Sequence, residues 1–147
     1  MRRARYVFLA LVGLIAITAC SNAGQPINTP NPEPTCIALA GLEAQINTLR
    51  ALDPSTASLQ DYQTAAYNVS GMAQTVVAQA RVLANAEAGQ LDDSLRALQN
   101  AAQQLPAGTT PAQAKTELSD EIAGAESALT ALNTKLACPP LPTAQPG

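Results

Sequence analysis

The sequence predicts an all-α protein, a small antiparallel four-helix bundle, and three observations carry that expectation. Leucine, isoleucine, valine and alanine recur at alternating steps of three and four residues, the spacing of one helix face. Prolines gather at 26–34 and 139–146 and stay out of the alanine- and leucine-rich stretches, as helix interiors require. No strand-like run of β-branched residues is present.

The first helix is expected over about 36–50, with Leu39, Leu42, Ile46 and Leu49 as its apolar stripe. The second is expected over about 57–86, starting near Asp53-Pro54 or Ser58. Its stripe is Leu59, Tyr62, Ala66, Val69, Ala73, Val76, Ala80 and Leu83, widened by Met72 and Val77. The same phase would then bury Glu87 and Gln90. Instead the stripe restarts at Leu91 and runs through Leu95, Leu98, Ala102 and Leu105. One extra residue rotates a helix face by about 100°. A break is therefore expected between Asn85 and Gln90, with Gly89 available as a cap, and the third helix over about 90–105. A single long helix with a phase slip is the alternative.

The fourth helix, about 111–137, has the clearest signals. Thr110-Pro111-Ala112-Gln113 gives a capping threonine, proline at the first helical position and glutamine at the third. Leu118, Ile122, Ala125, Leu129, Leu132 and Leu136 follow at steps of four and three. Short loops favour antiparallel neighbours. Alanines at many stripe positions imply close helix approach and little room for a central ligand cavity.

The first twenty residues are of another kind. Arg2, Arg3 and Arg5 precede an uncharged, mostly apolar run from Tyr6 to Ala19, which ends in Ile17-Thr18-Ala19-Cys20. A basic start, a short apolar stretch and small residues before a cleavage point describe a secretory signal. As a helix the run is roughly 21 Å long, too short for a bilayer core of about 30 Å. A cysteine at the first mature position resembles the lipobox of bacterial lipoproteins. That resemblance covers residues 1–20 only. It implies cleavage before Cys20, a diacylglycerol on its thiol and often an acyl group, such as palmitate, on the new amino terminus. Two acyl chains anchor stably where one is marginal. A plain secreted chain and an uncleaved anchor are the competing readings. Ser21 stands where some two-membrane bacteria use aspartate for inner-membrane retention, which would favour the outer membrane in such a cell.

On this reading the chain divides into a signal peptide (1–19), a lipidated cysteine and flexible proline-rich tether (20–35), a helical bundle (36–138) and a disordered tail (139–147). As polyproline II the stretch from Ser21 to Thr35 would reach roughly 45 Å. Lipidation of Cys20 leaves Cys36 and Cys138, outside the cytoplasm, where disulfides persist. An even number of antiparallel helices brings the end of the last beside the start of the first. A Cys36–Cys138 bridge is therefore expected, with two free thiols as the alternative.

Composition excludes several function classes. The chain after residue 19 carries five cations against eleven carboxylates, a formal charge of −6, which disfavours nucleic acid as a partner. No polybasic patch would help it grip an anionic membrane. It has no tryptophan, and only Tyr62 and Tyr67 remain as aromatics, so base- or sugar-stacking platforms are lacking. The absence of histidine removes the commonest general base and metal ligand.

The remaining candidates have ordinary explanations. Glu117, Asp120 and Glu121 share a helix face and would offer oxygen ligands to a cation, but acids near a helix start also complement its dipole. Asp92-Asp93 has the same explanation. Asn68-Val69-Ser70 matches a glycosylation acceptor in mid-helix. Ser55, Ser58, Ser94 and Ser127 have no histidine to activate them, and Lys115 and Lys135 stand alone. Tyr62 falls on the stripe and reads as core; Tyr67 falls off it and would suit a protein interface. No catalytic, cofactor-binding or metal site is expected. The expectation is a lipid-anchored, outward-facing, non-enzymatic interaction or scaffold module of the cell envelope, bound to the cell membrane through its lipid, with an unidentified protein partner. The alternative is a carrier or sensor of a small apolar ligand held between the helices.

Overall fold

Alternating three- and four-residue steps wind the described residues into five helices. In the computed structural model, which describes residues 31–139, these are α1 (Glu33–Arg50), α2 (Leu59–Ala80), α3 (Asn85–Gln104), α4 (Pro111–Glu117) and α5 (Ser119–Leu136). Among the described residues there is no strand. The stretches 1–30 and 140–147, which hold the expected signal peptide, Cys20 and most of the expected tether and tail, lie outside the described residues.

Three boundaries differ from expectation. α1 begins at Glu33, not 36, because Pro34 serves as a first-turn residue, a position where its missing N–H costs nothing. The break between the second and third helices falls at 81–84, not 85–90, and Gly89 lies inside α3. The stripe runs unbroken through buried Ala80, Ala84, Ala88 and Leu91, so Leu83 is not its last member. The expected fourth helix is interrupted at Leu118, which makes five helices of four. There the Ser119 hydroxyl donates to the Thr116 carbonyl at 2.7 Å, the acceptor that Asp120 N–H would use in an unbroken ladder.

α1 packs against α2 and α5, and α3 packs against the same two helices. The contacts run antiparallel. Tyr62 near the start of α2 meets Leu52 just beyond the end of α1, while a Cβ added to Gly41 would lie 3.6 Å from Met72 Sδ in the second half of α2. Arg81 after α2 pairs with Asp92 of α3, and Gln63 near the start of α2 donates to the Ala102 carbonyl near the end of α3. Arg50 at the end of α1 reaches Glu126 of α5, and Cys36 at the start of α1 meets Cys138.

The core lies along the shared axis. Leu39, Leu42, Ile46 and Leu49 meet Tyr62, Val69, Val76, Leu91, Leu98, Leu118 and Leu132, all essentially without solvent contact. Each buried leucine contributes about 1.5–3 kcal/mol. Met72, expected to widen the stripe, is 38 % exposed. No helix among the described residues is long and apolar enough to cross a membrane.

Candidate functional site

The end of the molecule where the described chain begins is built by a covalent clamp. Ala137 adopts a left-handed conformation, φ 53° and ψ 40°, after the last turn of α5. Its N–H reaches the Thr134 carbonyl at 3.2 Å, and the Cys138 N–H reaches that of Asn133 at 3.0 Å. This six-to-one and five-to-two pair is a Schellman cap. The cap turns Cys138 toward α1. The Cα atoms of Cys36 and Cys138 are 5.4 Å apart and the structure joins their sulfurs, a separation within the ordinary range for a bridge.

The opposite end is fastened by hydrogen bonds. The Leu52 carbonyl accepts from Tyr62 Oη at 3.1 Å and from Lys115 Nζ at 3.0 Å, which ties the loop after α1 to α2 and α4. Tyr62 is wholly buried, the core role its stripe position indicates. Burial first, and the Asp53 carboxylate second, push its hydroxyl above the usual phenol range. Asp53 accepts from the Ser55 N–H at 2.9 Å and its hydroxyl at 2.7 Å, and these bonds hold its carboxyl below the usual range. Nothing in the sequence pattern pointed to the doubly used Leu52 carbonyl, since a backbone acceptor leaves no residue signature.

The polar residues singled out above divide into structural roles. Ser58 caps α2 reciprocally with Asp61. Ser94 and Ser70 donate to the Gln90 and Ala66 carbonyls of their own helices. Ser70 is buried, so the Asn68-Val69-Ser70 acceptor pattern sits in packed helix. Asp92 and Asp93 lie well inside α3, not at its start, so the helix-dipole account fails for them. Asp92 instead takes Arg81 at 2.8 Å and Arg96 at 3.1 Å. Lys135 lies 3.8 Å from Glu87. Glu117 closes α4, while Asp120 and Glu121 stand in the first turn of α5, where their charge suits the dipole. Among the described residues no three acids or cysteines converge as a metal site.

Grooves follow the helix seams among the described residues, two of them of about 200 Å³ or more. One, of about 280 Å³ between α2 and α3, is lined by Gln63, Ala66, Tyr67, Gln99, Ala102 and Gln103. Tyr67 is 66 % exposed there, as its position off the stripe indicates. The other, of about 200 Å³ between α1 and α5, holds Glu43, Arg50 and Glu126 among its walls. Arg50 Nη1 is 3.1 Å from Glu126 Oε1 and 3.4 Å from Oε2, and only the second contact is aligned as a hydrogen bond. The first groove presents glutamines beside Tyr67, and the second an ion pair between Arg50 and Glu126. No protein-family model, curated protein or solved structure matches this chain.

Proposed function

We propose that the protein is a lipid-anchored, extracytoplasmic, non-enzymatic helical module. It is held on the outward side of the cell membrane through Cys20 and presents its surface to a protein partner of the envelope. The observation that carries this reading is the run from Arg2 to Cys20: three arginines, a short apolar segment and a cysteine behind Ile-Thr-Ala. Support comes from the pairing of Cys36 with Cys138, chemistry that suits an oxidising compartment. We read α4 and α5 as one bent rod, which would give the antiparallel four-helix bundle expected; the described chain begins and ends at the same end, where Cys36 meets Cys138. The α2–α3 groove, with exposed Tyr67 among glutamines, is the partner-facing candidate. Grooves that open along the helix seams, rather than a cavity enclosed between the helices, favour this reading over an apolar-ligand carrier.

Membrane fractionation of cells making the Cys20→Ala chain tests the anchor. The substituted protein is expected in the soluble fraction. Full retention in the membrane fraction would refute lipid anchoring. Crosslinking from the anchored wild-type protein, compared with Tyr67→Ala, tests the partner-facing groove: an unchanged crosslinking pattern would remove that face.

A further inference from the structure

We infer that the end of the bundle nearest Cys20 is a membrane-contact surface, with Ile37 and Val82 as the side chains that enter the lipid interface. The inference rests on the lipid-anchor reading above. Four large apolar side chains are exposed among the described residues, and the two most exposed are Val82 at 75 % and Ile37 at 68 %. Both belong to one end. Ile37 lies near the start of α1, and Val82 lies in the turn between α2 and α3, which the antiparallel pairing of α1 and α2 places at the same end. At the opposite end, Leu105 is buried and Leu52 is packed against the core.

The chain geometry selects the occupant. The described chain enters at Asn31, beside this end. Eleven residue steps from Cys20 to Asn31 span at most about 40 Å. The far end lies a further 27 Å or so away, the length of the 18-residue α1 at about 1.5 Å per residue. The tether is long enough for the molecule to turn over, but the end that carries it stays on average nearer the bilayer, and this end bears the two most exposed large apolar side chains. Two apolar side chains bind a free vesicle weakly. A short tether supplies an effective concentration of about a millimolar, so the contact fills only on the anchored chain. Charge sets the lipid type. Arg81 and Lys135 at this end are paired with Asp92 and Glu87, and Glu33 adds negative charge. The surface suits zwitterionic headgroups rather than anionic ones.

The chain has no tryptophan, so single tryptophans report without background. The full processed protein, purified with its lipid, is reconstituted into phosphatidylcholine vesicles as V82W and, separately, as A107W, the latter at the far end. Bromine-labelled phosphatidylcholine is expected to quench V82W at least twofold more than A107W. Equal quenching, or none in either chain, overturns membrane contact, as does a blue-shifted V82W emission that bromine-labelled lipid leaves untouched, which would mean cover by protein. Intact mass separates the two readings: a bare Cys20 thiol removes the anchor and this inference together, whereas a lipidated chain without quenching removes the inference alone.

Discussion

Ala137 is the non-glycine residue with positive φ among those described. A left-handed conformation costs an L-residue roughly 1–2 kcal/mol, and glycine carries no such cost. Ala137→Gly is therefore expected to raise stability by up to about 1 kcal/mol, after allowing for glycine's greater freedom when unfolded. The midpoint of urea unfolding reads it, and a lowered midpoint would contradict the cap. Tyr62 makes the opposite test. Tyr62→Phe keeps the buried ring but removes the bond to the Leu52 carbonyl, at an expected cost of about 0.5–1.5 kcal/mol. Its hydroxyl is held neutral past the usual phenol range by burial. That contribution is complete below the unfolded value near 10 and is lost as pH rises through the folded value. Melting curves from pH 9 upward should fall more steeply for wild type than for Tyr62→Phe; parallel curves would count against a desolvated hydroxyl.

Helix by helix, what the sequence revealed depended on how strongly each residue type signals. Leu39, Leu42, Ile46 and Leu49 announced α1, and Thr110 with Gln113 announced the start of α4, where the cap is reciprocal as expected. The turn at 81–84 was invisible. It contains no glycine or proline, and the residue before α3, Ala84, offers no capping side chain. Its stripe passes through Ala80, Ala84 and Ala88, whose methyls are weak markers of burial, so Leu83 and Gly89 drew the boundary to the wrong place. The interruption at Leu118 was equally silent, because it rests on one serine hydroxyl competing for a carbonyl. Two tests belong to α2. Val76, 1 % exposed, lies mid-helix. Val76→Asp puts an unpaired charge in the core, and a loss of about 3–5 kcal/mol or failure to fold is expected; an unchanged melting curve would mean this face is not buried. At its start, the Ser58 N–H and then the Ser58 hydroxyl hold the Asp61 carboxyl below its usual value. A lowered carboxylate contributes stability above its unfolded pKa, near 3.8, and loses it as pH falls through the folded value. Asp61→Asn should therefore flatten the acid limb of the stability profile without moving the neutral-pH plateau far, and a limb identical to wild type would remove the capping box from the account.

At the scale of the molecule, the bridge between Cys36 and Cys138 closes a loop of 102 residues. In the chain-entropy treatment such a loop adds up to about 4.7 kcal/mol, commonly less. Reduction, or Cys36→Ser with Cys138→Ser, is expected to lower the unfolding midpoint markedly while leaving helical content intact at low denaturant. Two alkylatable thiols in the untreated native protein would contradict the pairing. The pairing was legible from the cysteine count and the antiparallel run of the helices, although the helix count behind it was four and the described residues form five. The contacts that shape the grooves were not, because Gln63, Gln99 and Tyr67 meet only once α2 and α3 lie side by side. The proposed partner-facing surface has no signature in the sequence, because glutamine, alanine and a lone tyrosine are ordinary helix-surface residues. The address is the strongest signal in the chain, and its central residue is Cys20. Intact mass of the native protein extracted from membranes tests it most directly. The account expects a chain that begins at Cys20 and carries a diacylglyceryl group, with or without a further acyl chain; an unmodified thiol at Cys20, or a chain that retains residues 1–19, would contradict it.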